Sequence, residues 1–459
     1  MVAIVTDPLR KKFANLLFNE VQNSTDINEY YLGIGKSDPY DGTDTTITPA
    51  RNIKDERIAR GNLQSIKKVT GNSFVIPRFN WTSGSIYSGW SDASIGIPTN
   101  TYYILTEDNE VYICIQQGKN AAGQANTSIV KPSFTTAGVG VHQAFQTSDG
   151  YRWKLAYTIS ASRASTFLSS TFIPAQDQAL IAAGDSAGSG AFELQQNTIR
   201  NLRTPGQILG VEIVDGGTGY SSAPTITFKG NGNGAAATAS ISGGTIVKIE
   251  MDNESSGMGS GYDYASAVVT GNATLRPIIG PRDGLGFSAL DDLKSTSVMF
   301  NIKPAGAEGG TFNTTNDFRQ ILLLRNLDLT DSSGGEGPRY AGTASKVNRF
   351  MTIGGTISAS NFVVDEKITG ASGVTAFIDE LDSGGGNKIF FHQNENTVNG
   401  NFSDGEAITG NAVGSATTDS GNKFSAVDIY SGELLYIENR ARVIRASAQT
   451  EDIKVIITV

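Results

Sequence analysis

Two short motifs contain the residue types and spacings most suited to chemistry. Gly33-Ile-Gly-Lys36-Ser37 is similar to the end of a phosphate-binding loop. That loop needs a glycine five residues before its last glycine, where this chain has Tyr30. Asp38-Pro39 also disfavours the helix that would have to follow. We therefore interpret the motif as a turn that ends a strand.

The second motif, Gly184-Asp-Ser186-Ala-Gly188, matches the string of a nucleophile elbow. An elbow needs a helix directly after the serine, and Ser189-Gly190 is a poor start for one. A catalytic triad also needs a histidine, and neither His142 nor His392 has a spacing that supports one. The pattern favours a flexible loop over a hydrolase.

Candidate metal and carboxylate sites are equally weak. Asp252-Asn-Glu254 and Asp263 lack the glycine and the bidentate glutamate of a calcium loop, so they predict a solvated loop. A carboxylate pair for glycoside cleavage stays open, because such partners meet only in the fold. Cys114, the single cysteine, lies in an apolar run and is expected to be an inert core thiol. We predict no catalytic, cofactor-binding or metal residue, and no cofactor.

Composition and charge narrow the class of protein. The chain has 459 residues, of which 53 are glycine and 18% are charged, a composition that suits turns and short strands. The net charge is −9 and the pI is about 5.0, and no basic run exceeds Arg10-Lys11-Lys12, which argues against nucleic acid as a partner. No apolar run reaches the ~18 residues of a membrane span, so we expect no membrane insertion. No signal peptide is apparent, and synthesis in a cytoplasm is expected.

Hydrophobic periodicity predicts elements along the N-terminal part. A strand is expected at 3–6, followed by a helix whose apolar stripe, Leu9, Phe13, Leu16 and Leu17, packs on something. A strand is predicted at 30–34 and a second, weaker helix at about 52–69. Residues 101–106 and 110–116 predict a hairpin, and 151–159 a half-buried strand.

Two segments contain internal repeats. Gly217-Thr-Gly-Tyr220 recurs as Gly259-Ser-Gly-Tyr262, and the segment 361–370 recurs as 401–410. We interpret the segments around them, 206–272 and 345–423, as small Gly-rich β-modules inserted into a chain that resumes afterwards. The repeated tyrosines predict packed turns; contact with sugar is the alternative.

A family resemblance rests on motifs outside those modules. They are Ala3-Ile-Val-Thr6 with the helix behind it, Leu32–Tyr40, Val75-Ile-Pro-Arg-Phe-Asn-Trp81, Val111–Ile115, Asp149-Gly-Tyr-Arg-Trp-Lys-Leu155, Asn197–Arg200, Phe318–Leu322 and the apolar runs of 433–459. In this order they resemble the baseplate wedge subunit of T-even-like contractile-tailed phages, the gene product 8 family. The matches are colinear and cover about two-thirds of the chain.

The resemblance implies a mainly β fold with a few short helices, in which a layered β-sandwich core forms a homodimer. That core would comprise 1–205, 273–344 and 424–459, interrupted by the two modules. The implied function is a non-enzymatic structural subunit of the virion tail baseplate, assembled in the host cytoplasm. It would hold other baseplate wedge proteins together and move with them when the baseplate triggers sheath contraction.

Two alternatives belong to other classes of protein. In the first, the modules make the chain a host-surface glycan-binding adhesin of the tail tip. In the second, it is a hydrolase that uses Ser186 or a carboxylate pair. If the structural interpretation holds, removing either module is expected to leave dimerisation intact, because the wedge interface would lie outside both.

Overall fold

The structure is a computed structural model. It describes residues 3–459 apart from 23–27, 42, 70, 95, 97, 100, 176–190, 253–256, 309–310, 314–315, 332–334, 356, 358–361, 383–386, 411–414 and 447. Strands account for 42% of residues and helices for 12%. The predicted mainly β fold with a few short helices is confirmed. Within the described residues, no helix is both long and apolar enough to span a bilayer.

The helices of the described residues are short, and Gly306–Glu308 forms a 3-10 turn. The helices are α1 Asp7–Gln22, α2 Ile53–Gly61, α3 Phe134–Ala137, α4 Ala161–Phe167, α5 Ala191–Asn201 and α6 Ala289–Asp292.

The strands number thirty over the described residues. They are β1 Tyr30–Gly35, β2 Leu63–Lys68, β3 Gly71–Pro77, β4 Tyr103–Leu105, β5 Glu110–Gln116, β6 Ala144–Gln146, β7 Arg152–Thr158, β8 Phe172–Ala175, β9 Ile208–Asp215, β10 Ile226–Gly230, β11 Asn233–Ala235, β12 Ala237–Ser242, β13 Thr245–Met251, β14 Met258–Ser260, β15 Ala265–Val269, β16 Thr274–Ile279, β17 Ser297–Ile302, β18 Phe318–Arg325, β19 Asp328–Thr330, β20 Glu336–Arg339, β21 Ala344–Lys346, β22 Arg349–Ile353, β23 Lys367–Gly370, β24 Thr375–Asp382, β25 Lys388–His392, β26 Ala407–Gly410, β27 Ser415–Lys423, β28 Val427–Asp428, β29 Glu433–Val443 and β30 Ile453–Thr458.

The chain divides into two compact units. Unit 1 comprises Met1–Phe18, Ser73–Met299 and Ile456–Val459, and unit 2 comprises Asn19–Asn72 and Phe300–Val455. The segment 206–272 falls in unit 1, and the segment 345–423 falls in unit 2.

Unit 1 contains a four-stranded sheet in the order β4-β5-β7-β6. The predicted hairpin is confirmed: β4 pairs antiparallel with β5, and Asn109 takes a left-handed φ of 59° in the turn between them. The strand predicted at 151–159 is present as β7, but the expectation that it is half-buried is wrong, since both of its faces are buried. Trp153 and Leu155 pack in the apolar cluster on one face, and Lys154 is buried on the other.

The segment 206–272 folds as small antiparallel sheets. β9 and β16 pair with each other, β10 pairs with β15, and β12 forms a hairpin with β13. Gly217, Gly219, Gly259 and Gly261 all have φ between 62° and 81°, so both copies of the repeat use the same left-handed turns. Tyr262 is buried, and the Tyr220 hydroxyl accepts a hydrogen bond from the Ala273 amide at 3.2 Å. Both tyrosines are packed as the turn interpretation expects.

Helix α1 differs from its prediction. Ala14 and Phe18 are its buried residues, and the Phe18 ring stacks on Phe74 at 4.4 Å. The predicted inward stripe instead faces outward: Leu9, Phe13 and Leu16 are 43%, 50% and 59% exposed. Residues 3–6 form no strand. The apolar periodicity correctly indicates a helix, but three of the four residues of the predicted stripe are exposed, and the fourth, Leu17, is half-buried.

Unit 2 is organised around a five-stranded sheet in the order β21-β2-β1-β18-β29. The predicted helix at 52–69 is wrong in its second half. Asn52 caps α2 by accepting from the Asp55 amide, and the helix ends at Gly61. Leu63 and Ile66, expected on a helical face, are buried residues of strand β2 beside β1. Their spacing fits either element, and pairing with β1 decides between them.

A closed six-stranded barrel, in the order β22-β25-β24-β23-β26-β27, follows β21. Its interior is apolar: Met351, Ile353, Ile357, Phe362, Ile368, Ala376, Ile378, Ile389, Phe391, Phe402 and Ile408.

The repeat at 361–370 and 401–410 forms the middle of this barrel; Asn361 itself lies outside the described residues. Strand β23 of the first copy pairs antiparallel with β26 of the second, with Thr369 opposite Thr409. Phe362 and Phe402, forty positions apart, are both buried in the barrel interior. The two copies are therefore each other's neighbours, as a pair too small to bury a core alone requires.

Candidate functional site

A buried group of four charged side chains lies where the barrel meets the five-stranded sheet of the same unit. Barrel strands β24 and β25 contribute Asp379 and His392, and the turn after β1 contributes Lys36 and Asp38. His392 Nδ1 lies 2.9 Å from both carboxylate oxygens of Asp379, and its Nε2 lies 3.2 Å from Asp38 Oδ1. Lys36 Nζ donates to Asp38 Oδ2 at 2.9 Å. We call these four residues the charged cluster.

Neutral donors complete the environment of Asp379, whose side chain is fully buried. The Ser37 hydroxyl donates to Oδ1 at 2.8 Å, and the Gln64 amide donates to the same oxygen at 3.1 Å. The Asn348 amide donates to Oδ2 at 2.6 Å. A buried carboxylate is tolerated only when it is paired and its oxygens are bonded, and both conditions are met here.

The pKa values of the cluster follow from its opposed charges. Burial by itself lowers the pKa of His392, but the charges and hydrogen bonds of Asp379 and Asp38 outweigh it and raise that pKa to about 10. Burial raises the pKa of Asp38, and the stronger effects of His392 and Lys36 bring it below its usual range. At neutral pH, the cluster thus holds two cations and two anions, with no net charge.

This geometry holds elements together and does not suit general base catalysis. In a hydrolase triad, one imidazole nitrogen faces the acid and the other must accept a proton from the nucleophile. Here each ring nitrogen of His392 faces a carboxylate, so both donate and neither retains a free lone pair. The Ser37 hydroxyl, the nearest oxygen nucleophile bonded into the cluster, donates to Asp379 instead.

A pocket of about 360 Å³ opens beside the cluster, and we call it the seam pocket. Barrel residues line one side, and residues of α2, β2 and the segment 424–430 line the other. Its charged or aromatic lining residues are Arg349, Phe391, His392, Phe424, Asp428 and Tyr430. Its volume lies at the lower end of the ~300–1,000 Å³ typical of small-ligand sites.

None of the other described residues that the sequence analysis singled out belongs to the charged cluster. Ser186 and Glu254 lie outside the described residues. Asp252 accepts from Thr238 at 2.6 Å and Asp263 from Asn231 at 2.9 Å, so each has a local partner. Cys114 is buried, and burial raises the pKa of its thiol, as expected of an inert core residue. No group of three His, Cys, Asp or Glu side chains in the described part of the chain could hold a metal ion.

His142 lies in unit 1, beside the buried Lys154 at a polar pocket of about 450 Å³. Burial, and then the Lys154 charge, lower the pKa of His142. Lys154 Nζ donates to the Leu285 carbonyl at 2.7 Å, and burial lowers its pKa to about 8. These residues form no nucleophile and base pair.

The chain matches no protein-family model. No curated protein matches it in sequence. Its function must therefore be argued from the sequence motifs and from the geometry above.

Sequence reasoning did not find the charged cluster. Lys36-Ser37-Asp38 was recognised only as a strand-ending turn, and His392 only as one of two histidines. The hydrogen bond between His392 and Asp38 spans 354 positions, and no local spacing connects them. The available signal was that His392 directly follows the apolar run Ile389-Phe-Phe391, and that Asp379 directly follows Ala376-Phe-Ile378.

Proposed function

We propose that this protein is a non-enzymatic structural subunit of a phage tail baseplate wedge that forms a homodimer. In this role it holds neighbouring wedge proteins together and moves with them when the baseplate triggers sheath contraction. The motif order described from the sequence supports the phage assignment. The outward apolar face of α1 is the structural observation that carries an assembly role.

That face consists of Leu9, Phe13 and Leu16, which we call the α1 stripe. The residues follow at i, i+4 and i+7, so they form one continuous row on the helix. Ile4 and Val5, just before the helix, are also exposed and extend the apolar surface. Contiguous exposed apolar residues of this kind mark protein–protein contact sites. We assign the α1 stripe to the homodimer contact.

The charged cluster supports a structural role in a different way. Its histidine is bonded at both nitrogens, and its four charges cancel within the protein. Such a cluster fixes how the barrel sits on the five-stranded sheet, and it offers no proton acceptor to a substrate. The barrel is thereby held as a fixed part of unit 2.

The dimer is tested by light scattering after size-exclusion chromatography of the purified chain. We expect a dimer for the wild type and a monomer for the triple variant Leu9→Ser, Phe13→Ser and Leu16→Ser. Each apolar side chain contributes about 1.5–3 kcal/mol when fully buried. Losing three should raise the dissociation constant by at least roughly 100-fold.

The control replaces three exposed apolar residues elsewhere in unit 1, Ile86→Ser, Leu202→Ser and Val214→Ser, and should remain dimeric. A monomeric wild type, or a triple α1 variant that stays dimeric, contradicts the assigned contact.

The baseplate location has a separate test, mass spectrometry of purified phage particles, with the copy number taken relative to sheath and tube proteins. A small multiple of six copies per tail is expected, and absence from the particle refutes the location.

A further inference from the structure

The seam pocket contains an arginine whose side-chain partners, among the residues that the structure describes, are neutral. Arg349 Nη1 donates to Asn401 Oδ1 at 3.3 Å, and Nη2 donates to Gln393 Oε1. Its guanidinium lies over the Phe391 ring, 5.4 Å from the ring centre. Among the described residues, no carboxylate forms an ion pair with Arg349, although the chain carries a net charge of −9.

Most other semi-buried cations of unit 2 have a carboxylate partner. Arg319 pairs with Asp44 at 2.7 Å, Arg445 with Glu451 at 2.6 Å, and Lys346 with Glu380 at 2.7 Å. A guanidinium at a pocket wall that lacks such a partner is suited to a carboxylate brought by a ligand, since Arg binds planar anions through two parallel hydrogen bonds.

The same pocket presents aromatic surface to the solvent. Tyr430 is 59% exposed and Phe424 is 46% exposed, and both line it. The Asn399 side chain also lines the pocket and makes no hydrogen bond to any residue that the structure describes. Aromatic faces beside the amide of Asn399 suit a ring that has an apolar face and hydroxyl edges.

The residues that line the pocket include one carboxylate, that of Asp428, whose negative charge opposes the positive charge of Arg349. Its Oδ1 accepts the Tyr430 amide at 2.9 Å, and its charge acts on Arg60, a neighbour on α2. His392 also lines the wall, but Asp379 and Asp38 balance its charge within the charged cluster. Arg349, which has no carboxylate partner among the described residues, is therefore the group on this wall that suits an anionic ligand.

We propose that the seam pocket binds a saccharide bearing a carboxylate, such as a hexuronic acid, with Arg349 on the carboxylate and Tyr430 against the sugar ring. This site goes beyond the assembly role and does not depend on it. It gives the glycan-binding alternative raised by the sequence a specific location at the edge of the barrel in unit 2, whereas the repeated tyrosines Tyr220 and Tyr262 belong to unit 1.

The test is calorimetric titration of the purified full chain with methyl glucuronide and, in parallel, with methyl glucoside. The two sugars differ at the carboxylate, so a preference for the first reports the arginine contact. We expect the glucuronide to bind at least roughly tenfold more tightly, the equivalent of one charge-assisted hydrogen bond. Arg349→Gln should remove that preference.

A second variant guards against misfolding of Arg349→Gln. Tyr430→Ala removes an exposed side chain and should weaken glucuronide binding severalfold, while Tyr264→Ala, an exposed tyrosine of unit 1, should leave it unchanged. Equal binding of both sugars, no binding of either at millimolar concentration, or tighter binding of benzoate than of the glucuronide overturns the proposal. None of these results bears on the dimer or on particle copy number, so the two proposals fail separately.

Discussion

At the scale of single residues, the two copies of the barrel repeat differ where the first copy meets the charged cluster. Asp379 and Asp419 occupy equivalent positions forty residues apart, but Asp379 is fully buried beside His392 and Asp419 is exposed. The same residue type at the same position in the repeat thus has two environments. Comparing Asp379 with Asp419 therefore separates the effect of burial and ion pairing on the free energy of unfolding from the effect of the aspartate side chain itself.

Asp379→Asn should lower the free energy of unfolding by about 3–5 kcal/mol, because it leaves the buried His392 cation without its closest anion. Asp419→Asn, the matched control, should change it by less than about 0.5 kcal/mol. Urea unfolding followed by circular dichroism measures both. Similar losses in the two variants would show that the cluster contributes nothing beyond the local β-structure.

The raised pKa of His392 predicts a dependence on alkaline pH. A histidine whose pKa rises from 6.5 unfolded to about 10 folded stabilises the protein fully below pH 6.5. That stabilisation declines above pH 6.5 and is lost as the pH rises through about 10. We expect the stability difference between wild type and His392→Gln to shrink from pH 7 to pH 10.5, measured by urea midpoints. A constant difference would mean that His392 is not charged in the fold.

Asp365 and Gly405 are a second equivalent pair, and here the residue types differ. Both have a left-handed backbone, with φ of 69° and 74°, and their amides donate to Ile378 and Thr418 at 2.8 Å. A left-handed conformation costs a non-glycine residue about 1–2 kcal/mol. Burial, and then the charge of Asp379, also raise the pKa of Asp365 to about 6, so its charged form is disfavoured.

Asp365→Gly should therefore stabilise the protein by about 1 kcal/mol at pH 8. The gain should be smaller at pH 4, where the carboxyl is protonated in the folded state and only about half ionised in the unfolded state. The reciprocal change Gly405→Asp should destabilise it. Thermal unfolding at the two pH values compares all three proteins. A loss of stability in Asp365→Gly would indicate that the Asp365 side chain has a favourable partner.

At the scale of elements, the barrel closes through contacts that the two repeat copies exchange. A Cβ on Gly370 would lie 2.5 Å from Glu406 Oε1, and one on Gly410 would lie 2.7 Å from Glu366 Oε1. Glu406 accepts from the amides of Ser372 and Ser403, at 2.6 and 2.8 Å. Each glycine therefore makes room for the glutamate of the other copy, which ties the turns together.

Gly370→Ala and Gly410→Ala should each destabilise the protein, by about 1–3 kcal/mol, because the added methyl displaces a bonded carboxylate. Gly210→Ala is the control in a strand: its Cβ would meet only Ile278 Cδ1, at 3.8 Å, and we expect no loss. Chemical denaturation gives the three values. A neutral Gly370→Ala would show that Glu406 moves aside without cost.

Elements formed by neighbouring residues were predictable from the sequence, and contacts between segments far apart in the sequence were not. The hairpin across Glu107–Asn109 follows from two β-branched runs with a polar turn between them. The end of α2 at Gly61 was missed, because Leu63 and Ile66 suit a helix or a strand until β1 is known as their neighbour. The repeats indicated a small module, but its closure into a barrel depends on β22 and β25, which belong to neither copy. The seam pocket and the charged cluster form only when the barrel closes, so no local sequence pattern predicts either of them.

At the scale of the whole molecule, the net charge of −9 bears on the proposed homodimer. Two identical acidic chains repel one another, and the α1 stripe has no charge complementarity to offset this. Salt shortens the Debye length from about 30 Å at 10 mM to about 8 Å at 150 mM ionic strength. A contact made by apolar side chains should therefore benefit from added salt.

We expect the dissociation constant of the proposed dimer to be at least about twofold lower at 150 mM than at 10 mM sodium chloride, because screening removes long-range repulsion. Analytical ultracentrifugation over a concentration series gives the dissociation constant at each salt level. The variant Leu9→Ser, Phe13→Ser and Leu16→Ser serves as the monomeric reference. A dimer that weakens with salt would point to ion pairs at the contact in place of the α1 stripe.

The pairing of β23 with β26 has a consequence for how this barrel arose. Two strands that are copies of one another and lie side by side in antiparallel register form the arrangement that two separate copies of a short ancestral hairpin would adopt. Tandem duplication within one gene would then have freed one copy to diverge. The first copy now has Asp365 in a left-handed turn and Asp379 in the buried contact, while the second has Gly405 and the solvent-facing Asp419 at the same places.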